Sequence, residues 1–392
     1  MRALYITNKP IYPKVDGGCV AMDNFLKCLL QAKFEVKHLC ISTNKHPFNL
    51  DAYPTDLQDL LNIEHRHIDT DVTPIRALKG LIEKGSYNIN RFHSSEFKSL
   101  IEHELKSSKF DCIILESLYT TTYVDAIRST NNVKIFVRTH NLEHKITSDL
   151  TNNASGLKKA YLSKLAKDLK KYEVNILNQV DGILSISEDD TKQMSSLGIK
   201  TPIKTIGVAI QIPNETNEYD ANGIFHLGSM NWQPNIEAVE RLLRVFPKIK
   251  QFKSDCELHI AGSSVDGTYK TKPDKHIFFD GFVDDINHFA LKNGILITPI
   301  ISGSGVRIKI LEMMAIGIPI ITTTLGALGI NSTDSNCLLI AESDEEIIEN
   351  ALELIENKGL RKEIGTNAIE YIRKNHNIES ISNDIIEFIE ET

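Results

Sequence analysis

The stretch TPIISGSGVRIKILEMMAIGIPIITT, residues 298–323, decides the fold of this chain. It begins at the end of a short apolar run and passes through a loop of small residues that contains Gly303 and Gly305. A helical pattern follows at 308–315, and a glycine and a proline then mark the start of a second apolar run at 318–322. A strand, a helix and a further strand in this order predict one unit of a parallel sheet.

The same alternation of short apolar runs with helical patterns continues along the rest of the chain. In the first half the sequence predicts a helix at 21–32 and strands at 3–6, 36–41, 112–115, 134–137 and 182–186. In the second half it predicts a helix at 235–246 and strands at 224–227, 258–261, 276–279 and 295–298. The predicted fold class is therefore α/β, with two Rossmann-like doubly wound domains.

The domain boundaries are predicted from composition. A segment at 201–222 is rich in Pro, Gly, Asn and Glu, which is typical of a connection between domains. We expect an N-terminal domain at 1–206, a C-terminal domain at 207–373, and a final helix within 374–392. That helix could pack on either domain, and we expect it on the N-terminal one. Ligands of open parallel sheets bind outside the carboxyl ends of the strands, so two such sheets would face a central cleft.

Composition limits the class of protein. The chain has 392 residues, which is more than one hydrophobic core usually serves. A formal net charge of -8 argues against nucleic acid as the main partner, because binding to a phosphate backbone needs a basic surface. None of the six cysteines stands in a metal-ligand spacing, so we expect reduced core thiols in a cytoplasmic protein. No apolar run reaches the roughly 18–20 residues that span a bilayer.

The residues from Gly303 to Glu312 carry the chemistry that we expect. Gly303 and Gly305 let the backbone approach a ligand, and the N–H groups at the start of the helix favour an anion. Arg307, Lys309 and about half a charge from the helix end nearly balance the roughly two to three negative charges of a nucleoside diphosphate. Glu312 enters an apolar block, which suggests a hydrogen-bonding role such as holding ribose hydroxyls. A plain strand–turn–helix with solvated cations is the alternative.

The run GSGVRIKILEMMAIGIPIITT, residues 303–323, resembles the donor-site signature of the family 4 glycosyltransferases of glycosyl transferases group 1, which have the GT-B fold. A looser similarity covers nearly the whole chain. FHLGSMNWQPN at 225–235 is similar to the first strand and loop of the family's C-terminal domain. Two later landmarks of that domain match LHIAG at 258–262 and FDGFV at 279–283, and the last N-terminal strand matches VDGILSIS at 180–187.

The resemblance implies a nucleotide-sugar site in the C-terminal domain and an acceptor site in the N-terminal domain. Glu312 matches the second glutamate of the family's E-x7-E motif, which binds the nucleotide ribose. Arg307 and Lys309 would hold the diphosphate and stabilise it as the leaving group. The backbone at Phe282 and Val283 would meet the base. The remaining donor-site candidates are Gly228, Gly303, Ser304 and Gly305.

This chain departs from the family pattern at two places. The first glutamate of the motif would fall at the position of Ser304, and in the family that glutamate often contacts the donor sugar. The identity of the sugar therefore stays open. Many members also carry an Arg and a Lys in and after the loop that corresponds to 228–232, where this chain has no cation. Arg307 and Lys309 would substitute for them.

Two loops of the N-terminal half hold further candidates. Asp16, Gly17 and Gly18 follow the first strand, and a Gly-Gly at this place in relatives lets the backbone approach the donor phosphate or the acceptor. We expect Asp16 to contact the acceptor. An ordinary turn is the alternative. His140 follows a buried strand, where the family often has a histidine near the sugar, although a lone histidine also fits a structural role. Glu116 follows another strand end, and we expect it to contact the acceptor.

Asp69 and Asp71 form a DxD pair, which is the metal motif of another glycosyltransferase fold. The pair lies in a polar connection without a strand–helix context, so we expect neither a metal nor a cofactor. A lysine-rich helical pattern with an apolar stripe lies near 158–176. It fits either a solvated surface helix or a peripheral contact with an anionic membrane that carries a lipid-linked acceptor. Its lysines are Lys158, Lys159, Lys164, Lys167, Lys170 and Lys171.

The predicted function is that of a retaining glycosyltransferase, which transfers a sugar from a nucleotide-sugar to a glycan or lipid-linked acceptor in surface polysaccharide or glycoconjugate synthesis. Enzymes of this kind are thought to need no protein nucleophile, so we expect positioning and charge stabilisation by His140, Arg307 and Lys309. The expected location is the cytoplasm or the inner face of the membrane. A sugar-nucleotide epimerase or phosphorylase of the same fold is one alternative. A non-catalytic nucleotide-sugar-binding partner is another, and Ser304 adds weight to it.

Overall fold

The computed structural model describes residues 1–73, 86–152, 154–213, 223–269, 274–303, 305–330 and 336–392. The chain divides into two compact units. The first unit consists of Met1–Val208 together with Ile378–Thr392, and the second consists of Ala209–Asn377. The divisions thus lie after Val208 and after Asn377, within a few residues of the positions expected from composition.

A parallel sheet forms the centre of the first unit. In the described part of the chain its strand order is β3-β2-β1-β4-β5-β6-β7, and the order reverses between β1 and β4. The inner strands are buried on both faces and therefore read as continuous apolar runs, which is typical of parallel sheets. The strands are β1 Arg2–Thr7, β2 Glu35–Ser42, β3 Glu64–His67, β4 Cys112–Glu116, β5 Lys134–Thr139, β6 Gly182–Ser185 and β7 Ile203–Thr205.

Helices cover both faces of this sheet. The first of them begins where Asp16 accepts a hydrogen bond from the backbone N–H of Cys19, at 2.9 Å, in the manner of an N-cap. The helices are α1 Gly17–Gln31, α2 Thr55–Leu61, α3 Tyr87–Asn90, α4 Ser95–Ser107, α5 Val124–Thr130, α6 Glu143–Asn152, α7 Gly156–Leu177 and α8 Glu188–Ser196, with 3-10 turns at Leu50–Ala52 and Leu118–Tyr123.

The second unit repeats this plan. Its described strands have the order β10-β9-β8-β11-β12-β13, all in parallel pairs. They are β8 Gly223–Leu227, β9 Glu257–Ala261, β10 Ile277–Gly281, β11 Ile295–Thr298, β12 Ile320–Thr322 and β13 Leu339–Ile340. The helices are α9 Gln233–Phe252, α10 Val265–Thr268, α11 Ile286–Asn293, α12 Ile308–Ala315, α13 Asp344–Glu356 and α14 Lys358–Asn375.

The last helix, α15 Ile378–Glu391, returns the chain to the first unit and packs against α1. Its buried face includes Ile381, Ile385 and Phe388. The ring of Phe388 meets Phe136 of β5 edge-on, with 5.9 Å between the ring centroids. The C-terminal segment is therefore part of the core of the first unit.

The predicted α/β class with parallel sheets is confirmed, and the structure adds three strands that the sequence did not predict. β3 and β7 lie at the two edges of the first sheet, and β7 occupies part of the segment that composition suggested as a connection. β13 has two residues at the edge of the second sheet. All six cysteine side chains are buried. Among the described helices, none is both long and apolar enough to cross a bilayer.

Candidate functional site

The strand order of the second sheet locates a candidate ligand site. The sheet runs from β8 to β9 and β10 on one side and from β8 to β11, β12 and β13 on the other, so the order reverses between β8 and β11. Ligands of doubly wound sheets bind outside the carboxyl ends of the strands at such a switch point. The loop after β8 and the loop after β11 both start there, and the second of them leads into α12 with Arg307 and Lys309.

Lys309 joins the two sides of this switch point. Its Nζ donates to the backbone carbonyl of Leu227, the last residue of β8, at 2.5 Å, and to Asn235 Oδ1, in the first turn of α9, at 3.0 Å. Asn235 Nδ2 in turn donates to the carbonyl of Ser229 at 3.0 Å. Burial of the ammonium, together with the nearby charge of Arg307, lowers the pKa of Lys309 to about 7. A neighbouring anion would restore its positive charge.

Arg307 immediately precedes α12 and is 5% exposed. Its Nη1 donates to the carbonyl of Gly305 at 3.0 Å, and its Nη2 donates to the carbonyl of Ser302 at 3.4 Å. The guanidinium lies over the ring of Trp232, with 4.9 Å between Cζ and the ring centroid. Burial lowers the pKa of Arg307 to about 10. The side chain thus lies folded against its own loop and against the loop after β8.

Two glycines permit this close packing. Gly303 has a φ of +90°, and a Cβ at this position would lie 3.0 Å from Pro234 and 3.1 Å from Trp232. A Cβ on Gly228 would lie 2.5 Å from the side-chain amide of Asn235. Any larger residue at 228 would therefore displace the amide that holds Lys309. Both glycines are needed to build the site, whatever ligand it takes.

The other residues predicted for the donor site lie on α12 and in the loops that follow β10 and β11 of the same unit. Glu312 is half-buried on α12, five residues after Arg307. Phe282 is 65% exposed and Val283 is half-buried, in the loop that follows β10. Gly305 has a φ of +84°. Ser304 lies outside the described residues.

Trp232 belongs to this site, although the sequence did not indicate it. In the sequence, the loop from Gly228 to Trp232 contributes to the resemblance, supplies Gly228 as a candidate and lacks a cation, but nothing in it points to Trp232. The structure places the Trp232 ring, 39% exposed, beneath the guanidinium of Arg307. The available signal was that the only tryptophan of the chain stands immediately before α9. Tryptophan is the best aromatic partner for a cation.

The first unit brings together a second group of predicted residues at the end of β4. Glu116 is 0% exposed, and it accepts hydrogen bonds from the hydroxyl of Tyr5 and from Arg138 Nη1, each at 2.5 Å. His140 Nε2 pairs with the same carboxylate oxygen as Arg138. Burial would raise the pKa of Glu116, but the charges of Arg138 and His140 outweigh it and lower the pKa to about 2. Glu116 is therefore an anion held between three donors.

This arrangement corrects the role expected for Glu116. A side chain with no exposed surface and three partners is not placed to contact an acceptor. It is instead a positioning residue, because its carboxylate holds the ring of His140 through Nε2. His140 lies in the turn between β5 and α6, and its side chain is 17% exposed. Of this group, His140 is the member that can reach a ligand.

Asp16 also has a structural task. It caps α1, and its carboxylate pairs with Lys9 Nζ at 2.6 Å. Burial would raise the pKa of Asp16, but Lys9 and the Cys19 N–H lower it to about 2. Gly17 is the first residue of α1, and a Cβ on Gly18 would lie 3.0 Å from Lys9 Nζ. Asp16 is thus the N-cap of α1 and the ion partner of Lys9, and its predicted acceptor contact stays a prediction.

Both aspartates of the DxD pair, Asp69 and Asp71, accept hydrogen bonds. The backbone N–H of Asp71 donates to Asp69 Oδ1 at 3.0 Å, and Asn44 Nδ2 donates to Asp71 Oδ2 at 2.8 Å. Within the part of the chain that the structure describes, no three His, Cys, Asp or Glu residues are grouped as metal ligands would be.

A known family model matches most of the second unit. Residues 221–357 match the family model described as Glycosyl transferases group 1. This segment is therefore similar to glycosyl transferases group 1. It contains both loops of the switch point, with Trp232, Arg307, Lys309 and Glu312. The resemblance indicated by residues 303–323 is confirmed.

Solved structures similar to the whole chain extend this result to the fold. The structure of a mutant of S. aureus TarM, in complex with fondaparinux, alpha-GlcNAc-glycerol and UDP, has a TM-score of 0.70 at 12% identity and covers 99% of this chain and 100% of that chain. Anabaena HepE, in complex with UDP and glucose, has a TM-score of 0.68 at 13% identity, with both chains covered completely. Sucrose-phosphate synthase from Thermosynechococcus elongatus has a TM-score of 0.72 at 11% identity, covering 100% of this chain and 99% of that one. The predicted GT-B fold is confirmed.

A related protein is named for a cps region. The protein described as "Uncharacterized 44.6 kDa protein in cps region" of Klebsiella pneumoniae is 24% identical over 324 residues, which is 78% of this chain and 81% of that protein.

Proposed function

We propose that this protein is a retaining glycosyltransferase that moves a sugar from a nucleotide-sugar to a glycan or lipid-linked acceptor in surface polysaccharide synthesis. The observation that carries the proposal is the pair of cations at the switch point of the second sheet. Arg307 and Lys309 lie at the start of one helix, beside the carboxyl end of β8. A diphosphate placed there would meet both charges and the N–H groups of the helix start.

The hydrogen bonds of Lys309 favour an anionic ligand over a purely structural role. Both of its partners, the Leu227 carbonyl and the Asn235 amide oxygen, are neutral. Neutral oxygens do not compensate a buried ammonium, which is the reason that its pKa falls to about 7. A diphosphate would supply the missing counter-charge. In the transition state this interaction would strengthen, because negative charge develops on the leaving group.

Other proteins of this fold support the nature of the donor. The TarM and HepE structures are titled as complexes with UDP, so UDP-sugars are the first donors to test here. The relative from the cps region supports a polysaccharide product. We propose no metal and no cofactor, because the two cations of the chain itself would balance the diphosphate.

The chemistry would rest on positioning and charge stabilisation rather than on a protein nucleophile. In this proposal Arg307 and Lys309 stabilise the departing diphosphate, and Glu312 holds the ribose. His140, held by the anionic Glu116, would contact the reacting sugar. The Glu116 carboxylate favours the N–H form at His140 Nε2, which leaves Nδ1 for the ligand.

Thermal unfolding in the presence of UDP-, GDP-, dTDP- and CDP-sugars tests the donor. Binding to the native state stabilises it by about 2.7 kcal/mol at a hundredfold excess over Kd, which raises Tm by several degrees. We expect one base to give this shift, and Glu312→Ala to reduce it. Lys292→Ala, an exposed lysine of α11 in the same unit, is the matched control and should behave as the wild type. The donor-site assignment fails if no nucleotide-sugar shifts Tm.

A further inference from the structure

Helices α6 and α7 of the first unit form a hairpin. The outer face of this hairpin has no part in the roles described above. The two helices pack closely against each other along their length. α7 buries Leu165, Leu169 and Ile176 against the unit. At 1.5 Å per residue, its 22 residues extend over about 33 Å. The helix therefore presents a long outer face to its surroundings.

Lysines are concentrated on this outer face. At 100° per residue, five of them fall within an arc of about 140° opposite the buried leucines. All five are exposed, and they are Lys159, Lys164, Lys167, Lys170 and Lys171. Lys164 pairs with Asp168 at 2.7 Å. Within the described residues, the other four have no ion pair.

The positive face stands out against the charge of the whole chain, which is -8. α7 contains six lysines and two acidic residues, Asp168 and Glu173. Glu173 is 1% exposed and points inward, where it accepts hydrogen bonds from the backbone N–H groups of Glu143 and His144. It does not offset the outer charge. On the neighbouring helix, Asp149 is exposed near the end of α6.

Two exposed leucines lie at one end of the same hairpin. Leu150, in the last turn of α6, is 57% exposed. Leu157, in the first turn of α7, is 91% exposed. Large apolar side chains this exposed contribute nothing to the stability of the unit by burial. Apolar residues at the end of a basic helical face are typical of segments that lie in a membrane interface.

We propose that this face, defined by the five lysines with Leu150 and Leu157, docks the protein on an anionic lipid bilayer. The lysines would lie at the level of the lipid phosphates, with α7 along the surface. The leucines would enter the boundary with the acyl chains, an environment that a soluble polyanion such as a nucleic acid does not offer. The inference does not rest on the proposed glycosyl transfer, and either can fail without the other.

Flotation with vesicles tests the lysines. The protein should bind phosphatidylcholine vesicles that contain about one third phosphatidylglycerol, and not vesicles of phosphatidylcholine alone. Binding should be lost in about 0.5 M salt, because the Debye length is then only a few Å. Changing Lys159, Lys167, Lys170 and Lys171 to Gln should lower partitioning by nearly three orders of magnitude, at about fivefold per lysine. The matched control changes the exposed residues Lys106, Lys200, Lys248 and Lys362 to Gln and should bind as the wild type.

The leucines distinguish a bilayer from a soluble polyanion. A Leu150→Ser, Leu157→Ser variant keeps every charge, and both side chains are exposed, so we expect it to fold. It should bind the anionic vesicles more weakly while its retention on heparin stays unchanged. The proposal is overturned if the wild type does not bind anionic vesicles at low salt. It is equally overturned if the lysine variant binds like its control, or if the leucine variant binds vesicles as the wild type does, which would show that the face recognises negative charge alone and inserts nothing into a bilayer.

Discussion

The contact between Arg307 and Trp232 ties together two loops that are distant in sequence. Arg307 belongs to the loop after β11, and Trp232 to the loop after β8. The Trp232 ring packs against one face of the guanidinium. Gly303 leaves room for the ring because it has no Cβ. A cation with a preset position loses less freedom when an anion binds. Trp232 would therefore act on donor binding through Arg307, without touching the diphosphate.

Replacement of Trp232 tests this role. We expect Trp232→Ala to weaken nucleotide-sugar binding about 3- to 30-fold, the range that corresponds to a cation–π contact of about 0.5–2 kcal/mol, and Trp232→Phe to recover part of the loss. Because Trp232 is the only tryptophan of the chain, donor binding should also change the intrinsic fluorescence of the wild type. Phe252→Ala, at a 70% exposed aromatic residue of the same unit, is the control. Wild-type affinity in the alanine variant would refute the role.

The lowered pKa of Lys309 predicts that the protein takes up a proton when the donor binds. With a pKa of about 7 it is about 90% neutral at pH 8 in the free protein, and a bound diphosphate raises the pKa by its opposite charge. Calorimetry at pH 8 in buffers of different ionisation enthalpy should therefore show an uptake that approaches one proton. Above pH 7 the affinity should fall by up to about tenfold per pH unit, because the free ammonium is progressively lost.

The control for this measurement is Lys309→Met, which keeps the length of the side chain and cannot take up a proton. Its residual binding should be independent of the buffer. A wild type that binds the donor with no proton uptake at pH 8 would place the diphosphate elsewhere.

Among the elements, α6 is notable because its N-terminus is capped from another helix. Glu173 of α7 accepts from the N–H of Glu143 at 3.0 Å and from that of His144 at 3.3 Å. A carboxylate at this place satisfies two N–H groups and matches the helix dipole. The hydroxyl of Tyr119 donates to Glu143 at 2.7 Å. Burial, with the nearby charge of Glu173, raises the pKa of Glu143 to about 7. The cap thus fixes the start of α6, directly after the turn that holds His140.

The raised pKa of Glu143 predicts how the stability of the first unit depends on pH. Between pH 4.5 and about 7 the folded protein binds more protons at this group than the unfolded chain does, so its stability falls as the pH rises through that window. The loss at pH 8 is at most about 3 kcal/mol. Glu143→Gln keeps an acceptor for Tyr119, and we expect it to flatten this part of the profile and to stabilise the protein at pH 8.

The free energy of unfolding, measured by urea titration at intervals of about one pH unit from pH 5 to pH 8, checks this prediction. Asp149→Asn, at an exposed acidic residue of the same helix, is the matched control and should follow the wild type. Equal slopes for Glu143→Gln and the wild type would show that Glu143 is ionised throughout this range.

The strands that the sequence predicted well are those in which nearly all residues are apolar. The inner strands are buried on both faces and therefore read as apolar runs, as in β4 and β11. β3 has the sequence EHRH and its residues are mostly half-exposed, so that no apolar pattern marks it. It is a strand because its backbone pairs with β2, which is not visible in its own residues.

The candidate site, too, was predictable from the sequence only in part. Arg307 and Lys309 were predictable because two glycines and two cations stand in one short stretch. Their partners were not, since Leu227 lies 82 positions from Lys309 and only the sheet order brings them together. Glu116 was placed correctly at a strand end, but its role followed from a hydroxyl 111 positions away in β1.

On the scale of the whole molecule, the chain forms two doubly wound units, and the first is completed by the last helix. The family match covers 221–357, within the second unit, and both loops of the proposed donor site lie inside it. Donor binding is therefore a property that we assign to the second unit. His140 and its supporting carboxylate Glu116 lie in the first unit.

The most direct test of the account is the rate at which the protein releases nucleoside diphosphate from its donor. The donor is the nucleotide-sugar found by thermal shift, used at saturation, and membrane and polysaccharide extracts serve as acceptors. We predict turnover by the wild type and by Lys292→Ala. Lys309→Met and Arg307→Ala should each lose about a hundredfold or more, because each removes charge that stabilises the leaving group. A wild type that binds the donor but never releases the diphosphate, or variants that turn over as fast as the wild type, would contradict the proposal that this site catalyses transfer.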